Sequence, residues 1–308
     1  MQRRTFIKTV AALPLFAAVG RDDLIAPSPQ IAFDGKRTVN ISGIGLAKPV
    51  RLAIAADTHF AFHDERDDAY ADFYKRMAQW PSKKEPFEKM FADVAESKAD
   101  GLLLLGDIIS FPTLANVEYL KRTLDSSKVK AFYIAGNHDW HFEGDDGSDL
   151  EQRSRWTEKR LSPLYNGRNP LMYSVKIGGV RIVMIDNSAY HVFPEQVDFW
   201  RSEAAKGDPI VLAMHIPFWQ EGYSITTCDA PLWGAAKDPY WQIERRQKWA
   251  ERSMPSTTEF RREVFSTPNL VAVFAGHEHR LMFASDKDKM QIVVPSNRKG
   301  DYLEVSFK

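Results

Sequence analysis

Five blocks of polar residues in this sequence carry side chains that ligate metals or move protons, and each follows directly on an apolar run. Asp57-Thr58-His59 follows LAIAA, Asp107 follows LLLLG, Asn137-His138-Asp139 follows FYIAG, His215 follows VLAM, and His277-Glu278-His279 follows VFAG. Five of the eight histidines lie in these blocks. Taken singly, an Asp-x-His or a His-x-His is as readily an ordinary loop feature. Five such blocks, each just past an apolar run, are much harder to obtain by accident. Imidazole and carboxylate donors suit Fe, Zn or Mn better than Ca. The single cysteine, Cys228, excludes an internal disulfide and any CxxC metal or redox pair.

Blocks scattered over more than two hundred residues meet only if the elements bearing them end on one side. The runs RLAIA (51–55), GLLLL (101–105), VKAFYI (129–134), VRIVMI (180–185), PIVLAM (209–214) and LVAVFA (270–275) are short and continuously apolar, as strands buried on both faces are. Between them, DDAYADFYKRMAQW, PFEKMFADVAESK, PEQVDFWRSEAAK and TTEFRREVF repeat apolar residues at helical spacing, and Pro86 and Pro194 fall where a first helical turn accepts proline. After residue 279, RLMFAS, MQIVVPS and DYLEVSF read as strands. The sum is an α/β layered domain with one large mixed sheet or two sheets facing each other. In such folds ligands bind outside the carboxyl ends of the strands, where these blocks sit. The glycines before Asp107, Asn137 and His277 are expected to turn the chain sharply there.

At 308 residues, 44% hydrophobic and 27% charged, the chain can bury a full core without disulfides. Lys+Arg and Asp+Glu are both 41, and no block of like charge suggests a nucleic-acid polymer as partner. The start, MQRRTFIKTVAALPLFAAVG, has two arginines, then Phe6, Ile7 and Lys8, and an apolar stretch interrupted by Pro14. That stretch is far short of the roughly 20 residues a transmembrane helix needs, so no transmembrane segment is expected. It resembles a twin-arginine export signal, which implies a signal peptide over residues 1–20, the twin-arginine machinery as partner, and a periplasmic or other extracytoplasmic destination for an already folded protein. Residues 21–49 read as a lead-in whose TVNIS forms an edge strand, and 50–308 as the main domain.

The ordered set Asp-x-His, Gly-Asp, Gly-Asn-His-Asp, a lone His after a strand, and Gly-His-x-His resembles the calcineurin-like metallophosphoesterase family over roughly residues 50–280. The resemblance implies a four-layer α-β-β-α sandwich with two mixed β-sheets and two divalent metal ions (Mn, Fe or Zn) at the carboxyl ends of the strands. It assigns Asp57, His59 and His279 to the first metal and Asn137, His215 and His277 to the second, with Asp107 bridging. Two cations about 3.5–4 Å apart clamp the attacking and leaving oxygens of an in-line phosphoryl displacement, and coordination brings a water's pKa down to about 7. An anion between two dications relieves their repulsion, which accounts for Asp107. His138 then corresponds to the histidine that contacts the phosphate and protonates the departing alkoxide, a service typically worth about 10²–10⁴-fold. The activity implied is hydrolysis of small phosphomonoesters or phosphodiesters, with a nucleotide, sugar phosphate or lipid head group as substrate.

One position departs from part of the family. The protein Ser/Thr phosphatases continue the bridging aspartate as Gly-Asp-x-x-Asp-Arg-Gly, and the second Asp orients the catalytic histidine; here GDIISFP places Ser110 there. A serine cannot stabilise an imidazolium with charge, so Asp139 or another residue is needed as the partner of His138. Ser110 counts against a phosphoprotein phosphatase and, since purple acid phosphatases carry a tyrosine at that position, against a tyrosinate-bound ferric ion. A catalytically silent scaffold of the same fold would be expected to have lost ligands, and none is missing. A helix-borne HExxH, which a metallopeptidase would want, does not occur.

Two insertions lie outside the motifs. Residues 218–254 carry Trp219, Tyr223, Trp233, Tyr240, Trp241 and Trp249 with Arg245 and Arg246, and read either as a substrate cap or as a small satellite core. Residues 141–170, acidic and then basic, read as a solvated rim; His63, His141 and His191 lie outside the motifs, and His63 and Asp64 follow the first ligand pair closely enough to reach substrate but read rather as ordinary surface residues.

Overall fold

In a computed structural model the described residues are 29–71, 83–142, 145–218, 254–286 and 288–308. The apolar runs become strands of two sheets. The first is ordered β1 (Gln30–Phe33), β2 (Thr38–Ser42), β12 (Leu303–Phe307), β3 (Val50–Ala55), β4 (Gly101–Leu105), β5 (Ala131–Ile134). The second is ordered β10 (Met282–Asp286), β11 (Lys289–Val293), β9 (Leu270–Ala275), β8 (Ile210–Ala213), β7 (Val180–Ile185), β6 (Met172–Ile177). Both are mixed: β3, β4 and β5 run parallel while β12 opposes β3, and β7, β8 and β9 run parallel while β6 opposes β7.

Period-two alternation divides the second sheet's side chains between two cores. Ile182 and Met184 of β7, Val211 and Ala213 of β8 and Phe274 of β9 join the first sheet in one buried cluster. Their neighbours Val183, Ile185, Leu212, Val273 and Ala275 form the other cluster with Val197 and Trp200 of α4 (Pro194–Ala204) and Phe260 and Val264 of α5 (Pro255–Ser266). The first sheet is covered by α1 (Lys84–Glu96) and α2 (Leu114–Ser126). Helix α1 presents Phe87, Met90, Phe91 and Val94 at helical spacing, and α2 presents Val117 and Leu120. The result is the expected α-β-β-α layering. Each fully buried Leu, Ile, Val or Phe contributes about 1.5–3 kcal/mol, so the strand ends are held on a rigid base.

Register sets the site. Ala55 lies beside Leu104, Leu105 beside Ile134, and Ala213 beside both Met184 and Phe274. The carboxyl ends of the parallel strands are therefore level, and the polar blocks that follow them emerge along one edge.

The structure corrects two readings of the sequence. TVNIS is not an edge strand: β2 pairs antiparallel with QIAF on one side and parallel with β12 on the other, so β1 is the edge. Residues 141–170 are more than a solvated rim: they contain α3 (Asp149–Trp156), started by a capping box between Ser148 and Glu151, then a π-helical turn Thr157–Leu161 and a 3-10 turn Ser162–Tyr165. They bury Trp156, Leu161, Leu164 and Tyr165. The wider π turn breaks the 3.6-residue spacing by which a helix is recognised. Of DDAYADFYKRMAQW (67–80), the first four residues end the 3-10 helix Glu65–Tyr70, and 72–82 lie outside the described residues, as do the expected signal peptide and positions 219–253 of the aromatic insertion.

Candidate metal centre

Five of the seven expected ligands adopt the left-handed backbone region: Asp57 (φ 58°), His59 (φ 58°), Asp107 (φ 52°), His277 (φ 75°) and His279 (φ 56°). Non-glycine residues avoid that region unless the surroundings enforce it, and such positions concentrate at functional sites. Of the three preceding glycines only Gly106 turns the chain through a positive φ, at 83°. Gly136 and Gly276 are needed for close approach instead. A Cβ at Gly136 would stand 2.2 Å from Asp107 Oδ1, and one at Gly276 would stand 2.6 Å from the Ala56 Cβ.

Two donor groups form. In the first, His59 Nε2 and His279 Nε2 are 3.0 Å apart. Asp57 Oδ1 lies 3.9 Å from the former and 3.6 Å from the latter. In the second, His215 Nε2 is 3.2 Å from each of His277 Nδ1, Asn137 Oδ1 and Asp107 Oδ2. Asp107 Oδ2 is also 3.7 Å from His59 Nε2, so one carboxylate oxygen stands between the groups. His215 Nδ1 donates to the Leu105 carbonyl (2.7 Å), which leaves Nε2 to face the cluster with its lone pair.

These residues fit divalent cations. Asp57 Oδ1 is fully buried without a hydrogen-bond donor, a state that costs about 1–3 kcal/mol or more unless a cation meets it. The electrostatics point the same way. Burial pushes the Asp57 carboxyl up to about 6. Burial also acts on Asp107, but the imidazoles of His215, His138 and His59 prevail and hold it well below the usual carboxylate range. Burial drives His59 well down, while His215 rises to about 9 against its burial because Asp107 and Asp57 face it. Carboxylates and imidazoles thus compete for protons in a buried space, and cations there take the protons' place.

His138 stands beside the centre. Its backbone N–H donates to Asp107 Oδ1 (2.8 Å), and its ring meets His59 edge-on at 4.9 Å. It is partly exposed where Asp57, His59, Asp107 and His215 are buried, and burial pushes its imidazole down to about 4. Asp139 is not placed as expected. Its Oδ2 accepts the backbone N–H of Gly136 (2.6 Å) and Asp107 (2.8 Å), and its Oδ1 that of Ile109 (2.9 Å). The side chain ties the Asp107 turn to the Asn137 turn, and its oxygens are committed to the backbone. Ser110 is buried, with its N–H donated to the Phe60 carbonyl (2.7 Å). His63 is exposed, and His191 Nδ1 accepts the Met254 N–H at the start of α5.

Sequence reasoning missed a sixth polar block, Asp186-Asn187-Ser188, at the end of β7. Asn187 Oδ1 accepts the Ile216 N–H (3.0 Å) and its Nδ2 donates to the Ile216 carbonyl (2.6 Å), which clamps the turn next to His215. Asp186 receives Arg153 Nε (2.8 Å) and the Ser188 N–H (2.8 Å), while Ser188 Oγ receives Trp140 Nε1 (2.9 Å). The block therefore steadies both the Asn137–Trp140 turn and the His215 turn. Its signal was visible, since it follows an apolar strand like the others, but it contains no histidine. On the other side, Ser296 Oγ donates to the Asp57 carbonyl (2.7 Å) and Thr58 Oγ1 to Asn297 Oδ1 (3.1 Å).

Two facing mixed sheets with clustered metal-binding side chains at their strand ends define an α/β metallophosphoesterase fold. The profile of the calcineurin-like phosphoesterase family matches residues 50–281, and the chain belongs to that family. No curated protein matches the sequence. Among solved structures, a purple acid phosphatase from yellow lupin (Lupinus luteus) seeds is similar at 13% identity and a TM-score of 0.50, over 86% of this chain and 47% of that one. A dimetal phosphatase from Danio rerio is similar at 12% identity and a TM-score of 0.44, over 81% and 88% of the two chains. The phosphopantetheinyl hydrolase of Mycobacterium tuberculosis is similar at 13% identity and a TM-score of 0.43, over 82% and 94%. Membership makes this chain a metal-dependent hydrolase of phosphate esters. No helix among the described residues is long and apolar enough to cross a membrane.

Proposed function

We propose that the protein is an exported phosphoesterase that hydrolyses small phosphomonoesters or phosphodiesters at two divalent ions, Mn, Fe or Zn. The observation that carries this reading is the position of Asp107 Oδ2, 3.7 Å from His59 Nε2 and 3.2 Å from His215 Nε2. Asp57, His59 and His279 would hold the first ion, Asn137, His215 and His277 the second, and Asp107 both. When bound, two such ions supply positive charge against the transferring phosphoryl group and a water of pKa about 7.

The protein's own groups do the rest. The left-handed turns and the Asp139 brace fix the ligands before substrate arrives, so no reorganisation is needed during reaction. His138, whose N–H meets Asp107 and whose ring meets His59, would give a proton to the departing alkoxide; burial favours its neutral imidazole, so it would take up that proton only once the negative charge of a bound phosphate faces it. Ser110 at the position of an orienting Asp argues against phosphoprotein substrates and leaves nucleotides, sugar phosphates or lipid head groups.

The test is a panel of alkyl and aryl phosphomonoesters and diesters, cyclic nucleotides, nucleoside diphosphate sugars and phospholipids. Turnover of at least one class is expected, abolished by chelator and restored by Mn, Fe or Zn. Failure of the metal-loaded protein on every class would contradict the reading. Export is proposed from the Arg3-Arg4 pattern, and the Arg3→Lys, Arg4→Lys double variant should remain in the cytoplasmic fraction; its normal export would remove that part.

A further inference from the structure

Eight non-glycine residues have positive φ among those described. Five are the metal-ligand candidates above. Two lie at helix ends, where the left-handed region is common: Asn166 caps the Ser162–Tyr165 turn, and Lys98 follows the C-cap of α1. The eighth is Tyr190, at φ 62°. For a bulky aromatic this is a genuine outlier, and such strain persists only where neighbouring structure over-determines it.

The neighbours do so here. The Tyr190 N–H closes a turn onto the Asn187 carbonyl (2.9 Å), and Asn187 is itself clamped to Ile216. Two residues on, the Val192 N–H donates to Thr257 Oγ1 (3.0 Å) and its carbonyl accepts Ser256 Oγ (2.6 Å), fixing the chain to the start of α5. Between these anchors the Tyr190 ring stands edge-to-face with His277, centroids 6.3 Å apart, and the residue is partly exposed. A glycine would take this conformation without steric cost. The fold instead holds an aromatic ring against His277, a candidate ligand of the second donor group, in a strained backbone conformation.

A phosphate ester held at the second donor group would bring its organic substituent within reach of the partly exposed ring that meets His277. Building on the phosphoesterase reading, we propose that Tyr190 is a specificity-determining residue: its ring is a contact face for a planar organic group, such as the aryl or nucleoside part of the phosphate ester.

The experiment uses full-length, metal-loaded protein and calorimetric binding of inorganic phosphate and of phenylphosphonate, whose P–C bond is not hydrolysed, with metal content and Tm measured alongside. Tyr190→Gly should weaken phenylphosphonate binding at least tenfold, change inorganic phosphate binding less than twofold, keep the metal content, and leave Tm unchanged or higher because strain is released. Tyr190→Phe, which keeps the ring, should bind phenylphosphonate within threefold of the wild type. Equal weakening of both ligands by Tyr190→Gly, or loss of metal with a fall in Tm, would overturn the proposal and make Tyr190 a support for His277. Unchanged phenylphosphonate binding would overturn it too. A wild type that binds neither ligand would instead contradict the phosphoesterase reading on which it rests.

Discussion

Asp107→Asn is expected to abolish hydrolysis and to leave the protein with fewer than two metals per chain. The wild-type carboxylate places Oδ2 between His59 and His215 and accepts the His138 N–H at Oδ1, so it touches both donor groups and the turn of the proposed acid. An amide has the same shape but no charge, and its NH₂ end cannot ligate. Losing a single preorganised donor at an oxyanion costs about 10²–10³-fold, so loss of the shared ligand should exceed about 10³-fold. The fold should survive, because asparagine tolerates the left-handed backbone that Asp107 adopts (φ 52°) and keeps the N–H that Asp139 receives. Elemental analysis, turnover and circular dichroism on one preparation check all three points. Two retained metals with near-normal turnover would remove Asp107 from the bridging position.

His138→Gln is expected to behave differently, keeping both metals while slowing alkyl phosphate esters by about 10²–10⁴-fold. Its backbone N–H still reaches Asp107 Oδ1, so the bridging carboxylate keeps its orientation. p-Nitrophenyl esters should slow far less, since p-nitrophenolate leaves with little help from a proton. The contrast between leaving groups reads the acid role itself, where total activity would not. Equal slowing of both ester types would show that His138 serves binding or structure instead.

Much of this was legible before any coordinates. Runs such as GLLLL and LVAVFA had to be strands covered on both faces, and the parallel register then brings the blocks after them to one edge. What stayed hidden was of two kinds. Some signals were present but weak: MYSVKI, Gly178-Gly179 and VRIVMI form a hairpin with a two-glycine turn, and Thr113 caps an α2 whose Leu114, Val117, Leu120 and Leu124 are helically spaced. Others exist only in three dimensions. That Asp139 faces backbone amides of residues 107 and 109, rather than its neighbour's imidazole, follows from a contact across two strand ends. The strain at Tyr190 likewise arises from anchors at Ile216 and Thr257, far away in sequence.

The central claim is that one carboxylate joins two ions at the strand ends. Anomalous-scattering diffraction from crystals of the metal-loaded protein tests it most directly. The account predicts two peaks about 3.5–4 Å apart with the Asp107 carboxylate contacting both, one also held by Asp57, His59 and His279 and the other by Asn137, His215 and His277. A single peak, or two peaks of which Asp107 touches only one, would contradict it.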